Sequence, residues 1–183
     1  MASKQEQLQH LRTLLPASEV FDHSSPSYKD ASAPWSVWAD LHPTLVIQPT
    51  NLHGMSAVVK ALYESTLDFG IRNTGTGSVS AEDVILSTHG FKSFDFDAGS
   101  ETVTLGSGFA WGEVDALMGD RAPGYQVVGA RCSWVGVAGS SLVGGLSWLS
   151  QYVWRLMCVW VTFSLIIFIQ KRIRHDLRST ESA

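Results

Sequence analysis

The residues whose types and spacing could do chemistry lie in a glycine-rich loop, RNTGTGSVS, at positions 72–80. The loop combines two glycines with hydroxyl and amide side chains, and it contains neither lysine nor histidine. Gly75 and Gly77 can adopt positive φ and let a ligand approach the backbone closely. Successive backbone N–H groups in such a loop can form a nest for an anion. A phosphate-type ligand is therefore one interpretation, and a simple polar turn is the other.

Two familiar phosphate motifs are excluded. A P-loop needs a lysine directly after a glycine, and the sequence contains no Gly-Lys pair. GSGFAWG at 106–112 follows a predicted strand and opens a predicted helix, as a dinucleotide fingerprint does. Its third glycine is one residue late, and no strand with an acidic end follows about 20 residues on. A strand-to-helix turn is the favoured interpretation of this stretch.

A strand–helix–strand pattern precedes the loop. TLVIQP at 44–49 is a short apolar run that ends at a proline, and FGIR at 69–72 is a second extended run. Between them, apolar residues recur at helical spacing. The pattern predicts a βαβ unit with the loop at the carboxyl end of its second strand, where α/β proteins place ligands. The apolar helix face is predicted to contain Met55, Val58, Val59, Leu62 and Tyr63.

The residues after the loop have a different pattern. DVILST, FDFD and TVTLGSG are short β-branched and aromatic runs between turns, which predicts antiparallel strands. WGEVDALM predicts a short helix, and a second glycine-rich stretch follows at 124–145. The predicted fold class is therefore α/β (α+β), with a small βαβ subdomain and a second subdomain of mainly antiparallel strands with flanking helices.

Composition excludes several classes of protein. Charged residues make up 16% of the chain, below the roughly 25% of typical soluble domains. The net charge is −7 over residues 1–150 and +3 over 151–183, with no basic stripe, so nucleic acid is not an expected partner. The two cysteines and the scattered histidines fit no metal-site spacing, and no metal is predicted. The N-terminus is not a secretory signal, so an intracellular or membrane-associated protein is expected.

Several stretches together resemble a known family in order and spacing. They are HPTLVIQPTNLHGMSAVVKAL, FGIRNTGTGSVS, VTLGSGFAWGEVDALM and VVGARCSWVGVAGSSLVGGLSWLS. They resemble the FAD-binding domain of the p-cresol methylhydroxylase and vanillyl-alcohol oxidase type, above all fungal FAD-linked oxidases similar to berberine bridge enzyme. The resemblance covers residues 26–151. It implies an FAD-linked oxidoreductase whose flavin accepts a hydride from a small alcohol-type substrate.

The resemblance also implies which residues contact FAD. The first loop corresponds to the one that wraps the pyrophosphate through backbone amides, and the second glycine-rich stretch lines the same dinucleotide. The implied cofactor-binding residues are Asn73, Thr74, Gly75, Thr76, Gly77, Ser78, Gly136, Val137, Gly139 and Ser140.

Attachment of the flavin is where the sequence departs from the family. Many relatives carry a flavin-linked histidine in the first loop, and here Thr76 stands in its place. Cys132 falls at the position where family members with two covalent links attach the flavin to a cysteine. The favoured interpretation of Cys132 is nevertheless a small buried residue, as is common for a free cysteine. Non-covalent FAD is therefore expected.

No residue of the sequence stands out as a catalytic base. Asp95, Asp97 and Glu101 predict a solvated acidic turn, and Trp35, Trp38 and Trp111 predict core or lid-packing aromatics. In the family, a second domain supplies the substrate pocket and the base. The chain is thus expected to be truncated and to lack that domain, with the catalytic residues and the substrate unknown. The alternatives are a flavin-binding module without turnover and a membrane-tethered protein.

Three regions are predicted along the chain. Residues 1–43 form a leader with a helix around Gln5–Leu15, 44–151 form an incomplete FAD-binding domain, and 152–183 form an apolar and then basic tail. The tail is interpreted either as a single transmembrane helix at about 153–170 or as translation past the true reading frame. Its apolar run at 156–169 would span only roughly 21 Å as a helix, against a hydrocarbon core of about 30 Å. Apolar surface around 124–151 is expected to stay exposed, with low solubility, weak FAD affinity and no turnover.

Overall fold

The first of the two main sheets contains two parallel strand pairs. The computed structural model describes residues 2–143 and, as strands, 164–168 and 170–171. Within them the strand order is β1-β2-β4-β3, with β4 parallel to both β2 and β3 and β1 antiparallel to β2. The bounds are β1 Val20–Phe21, β2 Leu45–Ile47, β3 Phe69–Arg72 and β4 Val84–Ser87.

The position of β4 corrects one prediction. Val84–Ser87 was expected to be one of the antiparallel strands, yet it lies between β2 and β3 and runs parallel to both. All four of its residues are buried. Burial on both faces is typical of parallel strands, because helices or loops cover each side of the sheet. The βαβ prediction holds in its connectivity, but its two strands are separated by β4.

Helix α3, Leu52–Tyr63, connects β2 to β3 as predicted. It begins at Asn51, whose side-chain oxygen accepts a hydrogen bond from the backbone N–H of Gly54 at 2.9 Å, a common way to satisfy a free N–H at a helix start. Three residues of the predicted apolar face are buried against the sheet, whereas Val59 and Tyr63 are exposed. The buried three are Met55, Val58 and Leu62.

The leader packs onto this first sheet. Helix α1, Lys4–Thr13, buries Leu11 in the same core as β2 and β4. The Lys4 ammonium lies 2.8 Å from the Asp83 carboxylate, just before β4. A second short helix, α2 Tyr28–Ser32, follows. The predicted leader helix is confirmed, and it contributes to the core.

The second sheet is antiparallel, as predicted. It has the order β5-β6-β8, where β5 is Phe94–Asp97, β6 is Thr102–Gly106 and β8 is Ser164–Phe168. A further pair joins β7, Tyr125–Gln126, to β9, Gln170–Lys171. The observed fold is therefore a mixture of helices with a partly parallel and an antiparallel sheet.

Strand β8 also corrects the prediction for the tail. One of the two interpretations of the tail was a transmembrane helix at about 153–170, but Ser164–Phe168 pairs with β6 as a strand. The β-branched pair Ile166–Ile167 favours this conformation, and the helix interpretation did not take this preference into account. The rest of the predicted helix lies outside the described residues. In the described part of the chain, no helix is both long and apolar enough to span a bilayer.

Two helices complete the second subdomain. The 106–112 stretch turns from β6 into α4, Trp111–Arg121, as predicted. Helix α4 buries Trp111, Val114 and Met118 against the antiparallel sheet. Helix α5, Val137–Val143, was not predicted, since the sequence there is dominated by small residues.

Candidate functional site

A cavity of about 640 Å³ lies beyond the carboxyl ends of β3 and β4. The first glycine-rich loop forms one wall and helix α5 with the residues before it forms the other. This is the position that parallel strands offer a ligand in α/β sheets. The described lining residues are Ile71, Arg72, Asn73, Thr74, Gly75, Thr76, Gly77, Val79, Thr88, Val135, Gly136, Ala138, Gly139, Ser140, Leu142 and Val143.

The first wall is a tight loop that follows β3 directly. Gly75 has φ +80°, a conformation that L side chains rarely adopt. Its carbonyl accepts hydrogen bonds from the backbone N–H groups of Ser78 at 2.8 Å and Trp35 at 3.3 Å. The loop is therefore held in shape partly by its own turn and partly by the leader, which passes outside it.

The second wall touches the first at Gly136. A Cβ atom placed there would lie 2.5 Å from Asn73 Nδ2 and 3.1 Å from Thr74 Oγ1, closer than side chains tolerate. The carbonyl of Phe109 accepts from Asn73 Nδ2 and from the Val137 backbone N–H, both at 2.9 Å. The Phe109 carbonyl thus joins the two walls. The walls can touch at residue 136 only because it is a glycine and has no side chain.

Two other glycines have free space where a side chain would be. A Cβ at Gly77 or at Gly139 would have no atom within 4 Å, and both residues line the cavity. Gly139 lies in α5. Any larger side chain at these positions would therefore occupy cavity volume that a ligand could use.

Eight of the ten sequence-predicted residues line this cavity, and two do not. Ser78 accepts a hydrogen bond from the Ser36 backbone N–H at 3.2 Å, so its hydroxyl anchors the leader. Val137 is fully buried in the core of the second subdomain. Ser140 lines the cavity, but its hydroxyl accepts from Trp111 Nε1 at 2.7 Å and donates to the Gly136 carbonyl at 2.8 Å.

Asn73 has an unused acceptor. Its Oδ1 atom is buried and has no hydrogen-bond partner, while its Nδ2 is occupied by Phe109. Buried polar atoms are nearly always paired in proteins, so such an orphan asks for an explanation. A ligand in the cavity that donates a hydrogen bond would fit this wall, because Asn73 Oδ1 is a free acceptor.

Eight of the described lining residues are outside the predicted set, and Arg72 is the charged one among them. It is the last residue of β3 and only 6% exposed. Its guanidinium donates to the backbone carbonyls of Ser32, at 2.8 Å, and Ala31. Burial lowers the pKa of Arg72, an effect that the nearby Asp40 carboxylate opposes. The position of Arg72 in the sequence could have indicated this. It is a positively charged residue at the end of a strand, directly before a glycine-rich loop, and this end of the strand lies at the edge of the sheet where ligands bind.

The tryptophans differ in their environments. Trp111 belongs to the core, as predicted. Trp35 stacks on Trp134 with ring centroids 5.8 Å apart and planes 6° from parallel, and both stay half exposed or more. Trp35 is 65% exposed and Trp38 is 96% exposed, so neither is a core residue, and packing under a lid remains a prediction for both. The stack packs the leader against the residues that precede the second wall.

Other singled-out residues stay outside the site. Asp97 forms an acidic turn, in which hydrogen bonds from Ser100 and Gly99 lower its pKa. Cys132 is a half-buried free cysteine that does not line the cavity. Among the described residues, no group of His, Cys, Asp or Glu could hold a metal ion. In the described part of 124–151, Trp134, Leu142 and Val143 are exposed apolar residues.

Comparison with known proteins identifies the family. The sequence pattern of the FAD binding domain family matches residues 43–165. The chain belongs to the FAD binding domain family. The match extends past residue 151, where the resemblance was expected to stop, and includes part of the paired strand β8. The domain division at 151 remains a prediction.

Curated relatives of this FAD binding domain are FAD-linked enzymes by name. The chain is 34% identical over 161 residues to an "uncharacterized FAD-linked oxidoreductase" of Arthroderma benhamiae, covering 84% of the chain and 30% of that protein. It is 27% identical over 142 residues to the FAD-dependent monooxygenase prx3 of Penicillium roqueforti, covering 74% and 27%. The chain thus spans less than a third of the length of these relatives.

Solved structures share the fold. BBE-like 1 of Physcomitrella patens has a TM-score of 0.64 at 21% identity, covering 81% of this chain and 32% of that one. The 6-hydroxy-D-nicotine oxidase of Arthrobacter nicotinovorans has a TM-score of 0.68 at 18% identity, covering 75% and 31%. At these identities the likeness establishes the architecture of the FAD binding domain.

Proposed function

We propose that this chain is the FAD-binding portion of an FAD-linked oxidoreductase and that the cavity between its two glycine-rich walls holds the dinucleotide. The observation that carries the proposal is the cavity itself, at the carboxyl ends of β3 and β4 in a chain of the FAD binding domain family. Its walls fit the cofactor on two independent features. These are the orphaned Asn73 Oδ1, which can accept from a hydroxyl of FAD but not from its phosphate oxygens, and the open space at Gly77 and Gly139.

Each wall has its own part in binding. Backbone N–H groups of residues 73–77 present donors to the pyrophosphate, and positive φ at Gly75 shapes the turn that presents them. Gly136 brings the second wall close enough to enclose the ligand, and Gly139 leaves it room. Ser78 and Val137 act behind these walls as anchors, through the leader and the core.

When bound, FAD would supply a two-electron acceptor for a hydride from a small alcohol-type substrate. The described residues bind and orient the cofactor and keep water from one side of it. Arg72 is the only ionisable side chain among the described residues that line the cavity. A general base must therefore come from outside this part of the chain, as expected if a substrate domain completes the enzyme.

That same observation favours a second candidate function. A chain whose described cavity walls bind but offer no base would work as a flavin-binding module without turnover. The two candidates differ in one measurement. The oxidoreductase produces peroxide, or reduces an artificial acceptor, with a panel of small alcohols, whereas the module retains FAD and does neither.

We also propose that FAD is bound without a covalent link. Thr76 lines the cavity, and its hydroxyl lies 3.1 Å from Thr74 Oγ1 and donates to the Trp134 carbonyl at 3.2 Å. It is thus a structural bridge between the two walls. A hydroxyl in this position cannot form the histidine-type link of other family members.

The binding proposal is tested by filling the cavity at Gly139. We expect Gly139→Leu to weaken FAD binding at least about tenfold, because the leucine side chain would occupy volume that the ligand needs. A tenfold loss of affinity corresponds to about 1.4 kcal/mol. Gly119→Leu is the matched control, since Gly119 is also helical, also has free space and does not line the cavity. Titration of flavin fluorescence measures both. Equal FAD affinity of the two variants would contradict the proposal.

A further inference from the structure

Residues 31–41 of the leader form a strap along the outer side of the first cavity wall. Three backbone N–H groups of the strap donate hydrogen bonds to that wall and the residues just after it. They are those of Trp35 to the Gly75 carbonyl at 3.3 Å, Ser36 to Ser78 Oγ at 3.2 Å and Leu41 to Ser80 Oγ at 3.1 Å. The strap is therefore fixed to the first wall by its backbone and not by side chains that a substitution would remove.

The start of the strap is held by Arg72, at the base of the same loop. The guanidinium donates to the backbone carbonyls of Ala31 and Ser32, to the second at 2.8 Å. Burial lowers the pKa of Arg72, and the Asp40 carboxylate, further along the strap, opposes this effect. The strap thus supplies both the hydrogen-bond acceptors and the opposite charge that a buried guanidinium requires.

The side chain of Trp35 extends from the strap to the second wall. Its ring stacks on Trp134, with ring centroids 5.8 Å apart and planes 6° from parallel. Trp134 directly precedes Val135, which lines the cavity, and its carbonyl accepts from Thr76 Oγ1 at 3.2 Å. Neither tryptophan is among the described lining residues. The stack therefore connects the two walls from outside the volume that a ligand would occupy.

The two rings must part if the walls move apart. The strap is fixed to the first wall and Trp134 belongs to the second, so any separation of the walls pulls the stack open. Trp35 is 65% and Trp134 50% exposed, so the rings can part without opening the core. The stabilisation that an aromatic pair provides corresponds to a change of about two- to tenfold in an equilibrium constant. A contact of this size can open and close reversibly.

We propose that the strap and the Trp35–Trp134 stack form a latch that controls how fast FAD enters and leaves the cavity, whereas the cavity walls set its affinity. The inference rests on the proposed function and adds kinetic control of the same site. Because the latch lies outside the ligand volume, its loss favours the open form equally in the free and the FAD-bound protein. Association and dissociation then accelerate by the same factor, and the dissociation constant is unchanged.

The test measures both rates in the full chain of 183 residues. Stopped-flow flavin fluorescence gives the association rate, and trapping of released FAD by an excess of an unrelated apoflavoprotein gives the dissociation rate. We expect Trp35→Ala to raise both rates about two- to tenfold and to keep the dissociation constant within about twofold of wild type. Trp38→Ala is the matched control, since Trp38 lies in the same strap and is 96% exposed. It should leave both rates unchanged.

Further variants test whether the two rings act as one unit. Trp134→Ala should accelerate both rates as Trp35→Ala does. The double variant should be no faster than the faster single variant, because the stack can be lost only once. Trp35→Phe keeps an aromatic ring and should return both rates toward the wild-type values.

Three results would overturn the inference. Wild-type rates in Trp35→Ala would show that the stack does not limit exchange. Faster dissociation with unchanged association, and hence weaker affinity, would show that the stack only stabilises the bound site, which is a merely structural role. Additive effects in the double variant would show that the two tryptophans act separately. If wild type binds no FAD at all, the proposed function itself fails and the inference with it, and this result is distinct from the other three.

Discussion

The two walls of the cavity use glycine for different physical reasons. In the first wall, Gly75 is needed for its backbone conformation, φ +80°, and has only ordinary contacts where a Cβ would be. In the second wall, Gly136 is needed because Asn73 and Thr74 leave no room for a Cβ, while Gly139 leaves room for a ligand. The same residue type therefore supplies a turn, a close contact and a ligand volume within one site. Substitutions should separate these three roles.

The largest effect is expected where the walls touch. Gly136→Ala places a Cβ 2.5 Å from Asn73 Nδ2, so the walls must separate, at a cost of about 1–3 kcal/mol for overpacking. The free energy of unfolding should fall by that amount, and FAD binding should be lost. Thermal denaturation of the cofactor-free protein measures the first effect.

A second substitution sharpens the result at this contact. Asn73→Ala removes the nearest atoms, so the double variant Gly136→Ala with Asn73→Ala should be more stable than the sum of the single effects predicts. If the two changes in unfolding free energy are strictly additive, the side chains at positions 73 and 136 do not interact. The hydrogen bond to the Phe109 carbonyl, which the single variant Asn73→Ala also loses, is accounted for by the same cycle.

The next effect concerns the turn of the first wall. Gly75→Val forces a β-branched residue into positive φ, which costs of order 1–3 kcal/mol, and should abolish FAD retention with helix content nearly unchanged. Gly124→Val is the matched control, since Gly124 has φ +93°, has free space and does not line the cavity. Flavin absorbance after gel filtration and far-ultraviolet circular dichroism measure the two properties. Unaltered FAD retention in Gly75→Val would remove the loop from the site.

A smaller effect is expected where the leader joins the walls. Trp35→Ala removes the stack on Trp134 and should lower the free energy of unfolding by about 0.5–1.5 kcal/mol. The Trp35 backbone hydrogen bond to Gly75 remains, so FAD affinity should change only slightly. Trp38→Ala should have no measurable effect, because Trp38 is almost fully exposed. Equal destabilisation by both variants would contradict a specific role for the stack.

The smallest effect concerns flavin attachment. Thr76 in the first wall and Cys132 ahead of the second are the two positions where covalent links occur in relatives. We expect acid precipitation to release essentially all flavin into the supernatant, and Cys132→Ala to behave identically. Yellow colour that stays with the precipitate and disappears in Cys132→Ala would show a single thioether link instead.

The exposed apolar residues near the second wall have a consequence for solubility. Leu142 and Val143 end helix α5 with most of their side-chain surface exposed. Large apolar patches are uncommon on soluble monomers and mark surfaces that another segment covers. Low solubility and weak FAD affinity of the isolated chain remain predictions. Expression with and without residues 152–183 measures them directly.

Sequence by itself determined the elements that depend on local pattern. The periodicity of α3, the alternation in β5 and β6, and the glycine content of both cavity walls are properties of short stretches, and the structure confirms the elements and brings the two walls together. The family was also within reach of sequence, because several such stretches recur in one order and at one spacing. These features can be predicted from the sequence because each depends on side chains only a few residues apart.

Only the tertiary structure decided the features that depend on distant partners. The parallel position of β4 follows from burial on both faces, and β8 is a strand because β6 offers it a pairing edge. Ser78 anchors the leader and Val137 fills the core, although both belong to the predicted loops. Arg72 became a candidate only once its burial and its carbonyl partners were known, since hydrogen bonds across about 40 residues leave no mark in a local sequence pattern.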